Sequence, residues 1–217
     1  MVLTFAEEIM LLLLDDERGT LIPIPDASLK CALSGAVLMD LALANRVDSD
    51  LERLFVVDKT PTGDPILDPS LAKLAAGPTD KDAKYWVQTL AADGEDIREA
   101  ALASLVARGV LRREDEKFLW VFATRRYPAV DGKADREVKL RLMGVLLGDD
   151  IPDPHDIALL CLADACGIFD ELLGERELEA ARPRIEQVRK MDLIGQAMSK
   201  ALWDIQASIA IATQPTF

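Results

Sequence analysis

One histidine, three cysteines and a deficit of positive charge are the first features of this sequence, and each shortage narrows the functions open to it. With 38 acidic against 25 basic side chains the formal charge is −13, so the field of the whole chain repels duplex nucleic acid and anionic bilayers alike. Attraction to a phosphate, if there is any, is local, and nucleic acid is not expected as a partner. Cys31, Cys161 and Cys166 cannot all pair, sit in apolar helical contexts and lack metal-ligand spacing. That usage fits a reducing compartment, and the expected location is cytoplasmic. The apolar run at 9–14 is too short to span a bilayer, follows Glu7 and Glu8, and has no basic leader before it. Membrane contact, on this reading, is peripheral and on the cytosolic face.

Catalytic signatures are equally scarce. The sequence carries no phosphate-binding glycine loop, no serine elbow and no paired-cysteine metal motif. Asp15-Asp16-Glu17 and Asp149-Asp150 lack calcium-loop spacing and read as solvated loop ends. His155 follows Asp153-Pro154 at a helix start, where a capping or surface role is expected. General-base work needs an oriented partner and a receiving nucleophile, and neither is evident in the sequence. The expectation is a protein that is not an enzyme, with no catalytic residue, metal or cofactor.

What is present is a globular composition: 217 residues, half of them apolar and 29% charged, enough for one domain over 1–217 with a real core. Thr4 and Glu7 form a capping-box pattern, followed by Phe5, Ile9, Leu12 and Leu13 at helical spacing. Asp26 or Ser28 is placed to cap a long second helix through Leu29, Leu33, Val37, Leu38, Leu41 and Leu43. Residues 54–57 and 65–67 read as a hairpin around Lys59-Thr60-Pro61-Thr62-Gly63-Asp64. Asp68 then caps a helix with Pro69 in its first turn. Helices are expected over 79–90 and 96–108, the second ending at Gly109. A second hairpin should pair 110–111 with 118–124 across Arg113-Glu114-Asp115-Glu116. Helical patterns occupy 135–147, 154–173, 176–190 and 193–210, with Trp203 on the last as core. The fold class is mainly α: a compact helical bundle with surrounding amphipathic helices and one or two small β-hairpins.

Two segments stand out as candidate surfaces. Arg125, Arg126, Lys133, Arg136, Lys139 and Arg141 outnumber Asp131, Asp135 and Glu137, which makes 125–141 either the most basic face or an ordinary solvated helix with (i, i+4) pairs. Phe118, Leu119, Trp120, Val121 and Phe122 are apolar at alternate positions of both parities, so one face of that hairpin needs a second surface. The partner is the domain's own core, another protomer, or the interfacial zone of a membrane, where Arg125 and Arg126 would meet headgroups.

Several blocks, in order along nearly the whole chain, resemble the Golgi phosphoprotein 3 family. They are Leu3-Thr4-Phe5-Ala6-Glu7-Glu8-Ile9-Met10-Leu11-Leu12, then Leu33-Ser34-Gly35 running into Leu38-Met39-Asp40-Leu41-Ala42-Leu43. Pro61-Thr62-Gly63-Asp64-Pro65-Ile66-Leu67-Asp68 follows, then Leu105-Val106-Ala107-Arg108-Gly109-Val110-Leu111, then Leu159-Leu160-Cys161-Leu162-Ala163-Asp164-Ala165. The leading Glu-Glu helix and the Pro-Thr-Gly-Asp block are the specific parts. The resemblance implies a peripheral membrane adaptor that binds phosphatidylinositol 4-phosphate, retains membrane proteins by their cytosolic tails, and self-associates or meets the membrane through the aromatic hairpin. The family's lipid pocket is built from a tryptophan and three arginines. By position these fall near Pro25 and at Ser34, Glu95 and Arg98, so only Arg98 is kept, while Lys30, one turn before Ser34, supplies a replacement cation. The implied lipid-phosphate residues are therefore Arg98, Lys30 and Ser34, and the oligomer or membrane contacts are Phe118, Trp120, Phe122, Arg125 and Arg126. An Ala/Leu/Asp-rich member that starts directly at the domain, without the relatives' basic N-terminal tail, is expected of a bacterial source. The competing expectation is a soluble protein-interaction domain that no longer reads phosphoinositide.

Overall fold

The computed structural model describes residues 2–15, 18–50, 52–118 and 122–191. Its centre is the first helix, α1 (Phe5–Leu12), every residue of which is buried, Glu7 and Glu8 included. Thr4 caps it as the sequence implies: its hydroxyl accepts from Glu7 N at 3.2 Å, and Glu7 Oε2 accepts from Thr4 N at 2.8 Å. A helix this short is marginal alone, so its stability comes from burial against its neighbours. Those neighbours are α2 (Asp26–Leu43), α5 (Gly94–Ala107), α6 (Lys133–Leu147) and α7 (Pro154–Ala165). The long α2 places Leu33, Ala36, Val37 and Leu38 in the same core.

The remaining elements wrap this centre. Strands β1 (Val47–Ser49) and β2 (Leu54–Val56) form one antiparallel pair, α3 (Asp68–Ala76) and α4 (Ala83–Ala91) follow, and β3 (Glu114–Phe118) pairs with β4 (Phe122–Arg126) after α5. The helices α8 (Ile168–Leu172) and α9 (Glu175–Arg189) complete the described chain. The mainly helical reading holds.

Several local expectations are corrected, each for an identifiable reason. Neither Asp26 nor Ser28 caps α2: the helix begins at Asp26 after Pro25, Asp26 pairs with Lys30 at 2.6 Å, and Ser28 is buried. Residues 65–67 are not a strand. Asp68 turns back on the preceding loop, accepting from Thr62 N and Thr62 Oγ1 at 2.7 Å and from Gly63 N at 3.0 Å, while Asp64 accepts from Ile66 N at 2.8 Å. These side chains close the loop as consecutive turns, and β2 pairs with β1 instead. Asp68 is consequently not the cap of α3. The helix expected from residue 79 starts at Ala83, capped by Asp82, because Lys81 O is used by Leu54 N at 2.8 Å.

In the second hairpin the acidic stretch expected as the turn is itself strand. Glu114 lies opposite Arg126 and Asp115 opposite Arg125, opposite-charge registers that favour pairing. Phe118 pairs with Phe122 at the far end, and Leu119, Trp120 and Val121 lie outside the described residues. Gly167, at φ 70°, divides the expected helix 154–173 into α7 and α8. The helix expected over 193–210, with Trp203, also lies outside the described residues.

Candidate functional site

The lipid-phosphate residues implied by the sequence come together where α2 meets the start of α5. Lys30 packs over Gly94: a Cβ built on that glycine would stand 2.5 Å from Lys30 Cγ, so α5 approaches α2 here only because residue 94 has no side chain. Arg98 is one turn further along α5. Its guanidinium is 2.6 Å from Glu95 and 3.5 Å from Glu99, and Lys30 is 2.6 Å from Asp26. The side chains of Lys30 and Arg98 are 35% and 30% exposed, so both reach solvent. Ser34 does not: it is fully buried and its hydroxyl donates to Lys30 O at 2.7 Å, supporting the turn that carries the lysine.

The hairpin joins the same face through a shared acid. Glu99 faces Arg98 with one oxygen and accepts from Arg125 Nη1 at 2.9 Å with the other. Arg125 thus stands beside the Lys30–Arg98 region, half-exposed. Of the basic stretch expected at 125–141, Lys133 pairs with Asp131 at 3.3 Å, Lys139 donates to Leu14 O at 3.0 Å, and Arg141 turns inward. It is therefore not one uniform basic face.

A second constellation, centred on the two buried acids of α1, was not legible in the sequence. Glu7 accepts from Ser104 Oγ at 2.7 Å and from Arg108 Nη1 at 2.6 Å. Glu8 accepts from Arg141 Nη2 at 2.7 Å, and its other oxygen lies 2.7 Å from His155 Nε2. Arg141 Nε also donates to Asp156 at 3.0 Å. His155 is neither a cap nor a plain surface residue. Asp153 performs the capping, and the imidazole stacks on the Phe5 ring at 4.1 Å.

The electrostatics of this cluster follow from burial and pairing. The Glu8 hydrogen bond raises the His155 pKa above its ordinary value, against the opposing effect of burial. Burial pushes Asp40, which accepts from Phe5 N at 3.0 Å, up to about 8. Beside the cluster lies a cavity of about 340 Å³ lined by Leu3, Glu8, Arg108, Lys133, Val138 and Arg141. The cations in its walls are already paired, Arg108 with Glu7, Arg141 with Glu8 and Lys133 with Asp131, which makes it a structural junction rather than an open donor set. Among the described residues no group of three His, Cys, Asp or Glu side chains is placed to hold a metal ion, and no helix is long and apolar enough to cross a membrane.

Comparison with known proteins agrees with the specific sequence blocks. The profile of the family Golgi phosphoprotein 3 (GPP34) matches residues 5–205. The vacuolar protein sorting-associated protein 74 of Eremothecium gossypii is 27% identical over 212 residues, an alignment covering 82% of this chain. The chain spans 63% of that relative's length.

Proposed function

This chain belongs to the Golgi phosphoprotein 3 family, and on that premise we propose that it is a peripheral membrane adaptor, without chemistry of its own, that reads a phosphoinositide headgroup with a reduced version of the family's lipid pocket. The observation that carries this reading is the close approach of Lys30 and the first turn of α5, with Arg98 one turn on. A phosphomonoester near doubly charged is met there by an ammonium, a guanidinium and the N-terminal end of a helix. Each cation is already neutralised, Lys30 by Asp26 and Arg98 by Glu95. Exposed pairs of this kind are worth only about 0–1 kcal/mol, so a phosphate exchanges for them at small cost. Binding is then weaker and more salt-sensitive than a pocket with three arginines provides. Cytosolic tails of membrane proteins are the proposed clients, and Arg125 brings the aromatic hairpin to the side that faces the lipid.

Flotation with phosphatidylcholine vesicles, with and without phosphatidylinositol 4-phosphate, tests the reading. Recovery should depend on the phosphoinositide, decline with added salt, and drop in Arg98→Ala and Lys30→Ala. Equal recovery with neutral vesicles rejects it.

The second reading is a soluble protein-interaction domain, and it has its own observation. Asp26, Glu95 and Glu99 already occupy the cations of the site in a chain of net charge −13. No recovery on either vesicle, with the protein fully folded, selects it.

A further inference from the structure

Three cations and three acids gather around the start of α5, and one of the acids serves two of the cations. Glu95, Arg98 and Glu99 stand at (i, i+3, i+4) spacing on one side of the helix. Glu99 presents one oxygen to Arg98 Nη2 at 3.5 Å and the other to Arg125 Nη1, from strand β4, at 2.9 Å. Two guanidiniums from separate elements therefore converge on the two oxygens of a single carboxylate. Arginines hold a phosphate in the same way, because its oxygens accept from guanidinium N–H groups as carboxylate oxygens do.

The hold on this carboxylate is loose. Arg98 uses one nitrogen, Nη2, for both of its acids, Glu95 at 2.6 Å and Glu99 at 3.5 Å. Its Nε is buried with no hydrogen-bond partner among the described residues. The guanidinium fork is thus not engaged along an edge, and an N–H buried without an acceptor is costly. Arg125 reaches Glu99 through Nη1 and is half-exposed, with Asp115 opposite it in the strand register. Glu99 is itself 38% exposed, so its carboxylate turns to water without becoming a buried, unpaired charge.

Charge then selects which acid gives way. Lys30, Arg98 and Arg125 are balanced by Asp26, Glu95 and Glu99. A phosphomonoester near doubly charged enters this neutral group at least cost when an acid leaves it. Asp26 leaving frees Lys30 alone, and Glu95 leaving frees one edge of Arg98. Glu99 frees two cations at once, and its contact with Arg98 is the longest of the set.

We propose that Arg125 is the third cation of the phosphate site, and that Glu99 is an internal stand-in for the ligand, displaced when a phosphomonoester binds between Arg98 and Arg125. The inference rests on the phosphate reading of the Lys30–Arg98 face and adds to it a residue from another part of the chain. In the free protein Glu99 ties β4 to α5, and in the occupied site the phosphate ties them. Occupancy of the site and the seating of β4 are coupled in this way.

Two probes applied to the full chain test it: flotation on phosphatidylcholine vesicles containing phosphatidylinositol 4-phosphate, and calorimetric titration with soluble inositol 1,4-bisphosphate. Arg125→Ala should weaken binding about tenfold at unchanged melting temperature. Glu99→Gln should strengthen it about threefold, whereas Glu179→Gln, the same change of charge on exposed α9, should leave it unaltered. In the Arg125→Ala background Glu99→Gln should gain less, since one of the two cations it frees is gone. Binding of the soluble headgroup without vesicle recovery makes a free phosphomonoester the ligand, and recovery on vesicles makes it the lipid; either result upholds the clamp if the variants behave as stated. Binding that falls in Arg98→Ala and Lys30→Ala but ignores Arg125→Ala overturns this assignment and leaves the phosphate reading in place. A gain in Glu179→Gln equal to that in Glu99→Gln also overturns it, as an effect of net charge alone. Folded wild type and Glu99→Gln that both ignore the two probes overturn the assignment together with the reading it rests on.

Discussion

His155 Nε2 lies 2.7 Å from Glu8 Oε2, joining the first turn of α7 to a carboxylate buried at the centre of the molecule. Arg141 holds the other oxygen of the same carboxylate, so one acid fastens three helices. Replacing this carboxylate removes the acceptor of His155 Nε2 and leaves Arg141 with Asp156 alone.

Glu8→Ala is accordingly expected to cost about 3 kcal/mol, the lower end of the range for breaking a buried pair because Arg141 is one-third exposed. Urea unfolding should show a lower midpoint at unchanged slope. A double-mutant cycle with Arg141→Ala should return a coupling of about 1 kcal/mol or more, and additive losses would mean that the two side chains act independently.

Stability should decline on the alkaline side. The His155 pKa is raised, so its contribution is complete below the unfolded value and disappears as pH rises through the folded one. Asp40 is raised to about 8 by burial, so the folded state also holds that proton, and stability falls with pH up to that point. Both groups act in the same direction. Melting temperature should drop between pH 6 and pH 9 and drop less in Asp40→Asn; identical profiles for the two proteins would remove Asp40 from the account.

The Asp68 contacts predict a local effect. In Asp68→Ala the amides of Thr62 and Gly63 lose their acceptor, and hydrogen exchange there should accelerate by about tenfold, the equivalent of one hydrogen bond worth ~1.4 kcal/mol. Exchange in α1 should not change. Acceleration spread over the whole domain would mean that the loop is part of the core.

For the aromatic hairpin, Trp120→Ser with Phe122→Ser separates surface from core. As an interaction surface, the hairpin should lose vesicle recovery or association at unchanged helical content and melting temperature. As core, each change should cost about 3–5 kcal/mol and the melt should collapse.

Legibility in the sequence followed the range of each signal. The Thr4–Glu7 capping box, the end of α5 near Gly109 and the starts of α6 and α9 were readable because all their determinants lie within a few residues. Glu7 and Glu8 were not recognisable as the electrostatic centre, since Ser104, Arg108, Arg141 and His155 lie 97 to 147 residues away. The seat of Lys30 on Gly94 depends on two helices meeting, which periodicity does not report. By composition the charged stretch at 113–116 reads as a turn, and only the opposite strand, with Arg125 and Arg126, makes Glu114, Asp115 and Glu116 part of a strand.

The distance between Glu8 and His155 has a consequence for how the chain is made. A ribosome adding roughly 5–20 residues per second needs on the order of 7–30 s to reach His155 after Glu8. Over that interval α1 waits first for α5, then for α6 and last for α7 to cover it, although its mature position is the most enclosed in the molecule. Two adjacent negative charges beside the Leu-rich run then act as gatekeepers, keeping the nascent segment from joining other unfinished chains. The same carboxylates that later become internal anchors therefore serve first as a solubility device, and a neutral pair at Glu7 and Glu8 is expected to reduce soluble yield even where a refolded domain is recovered.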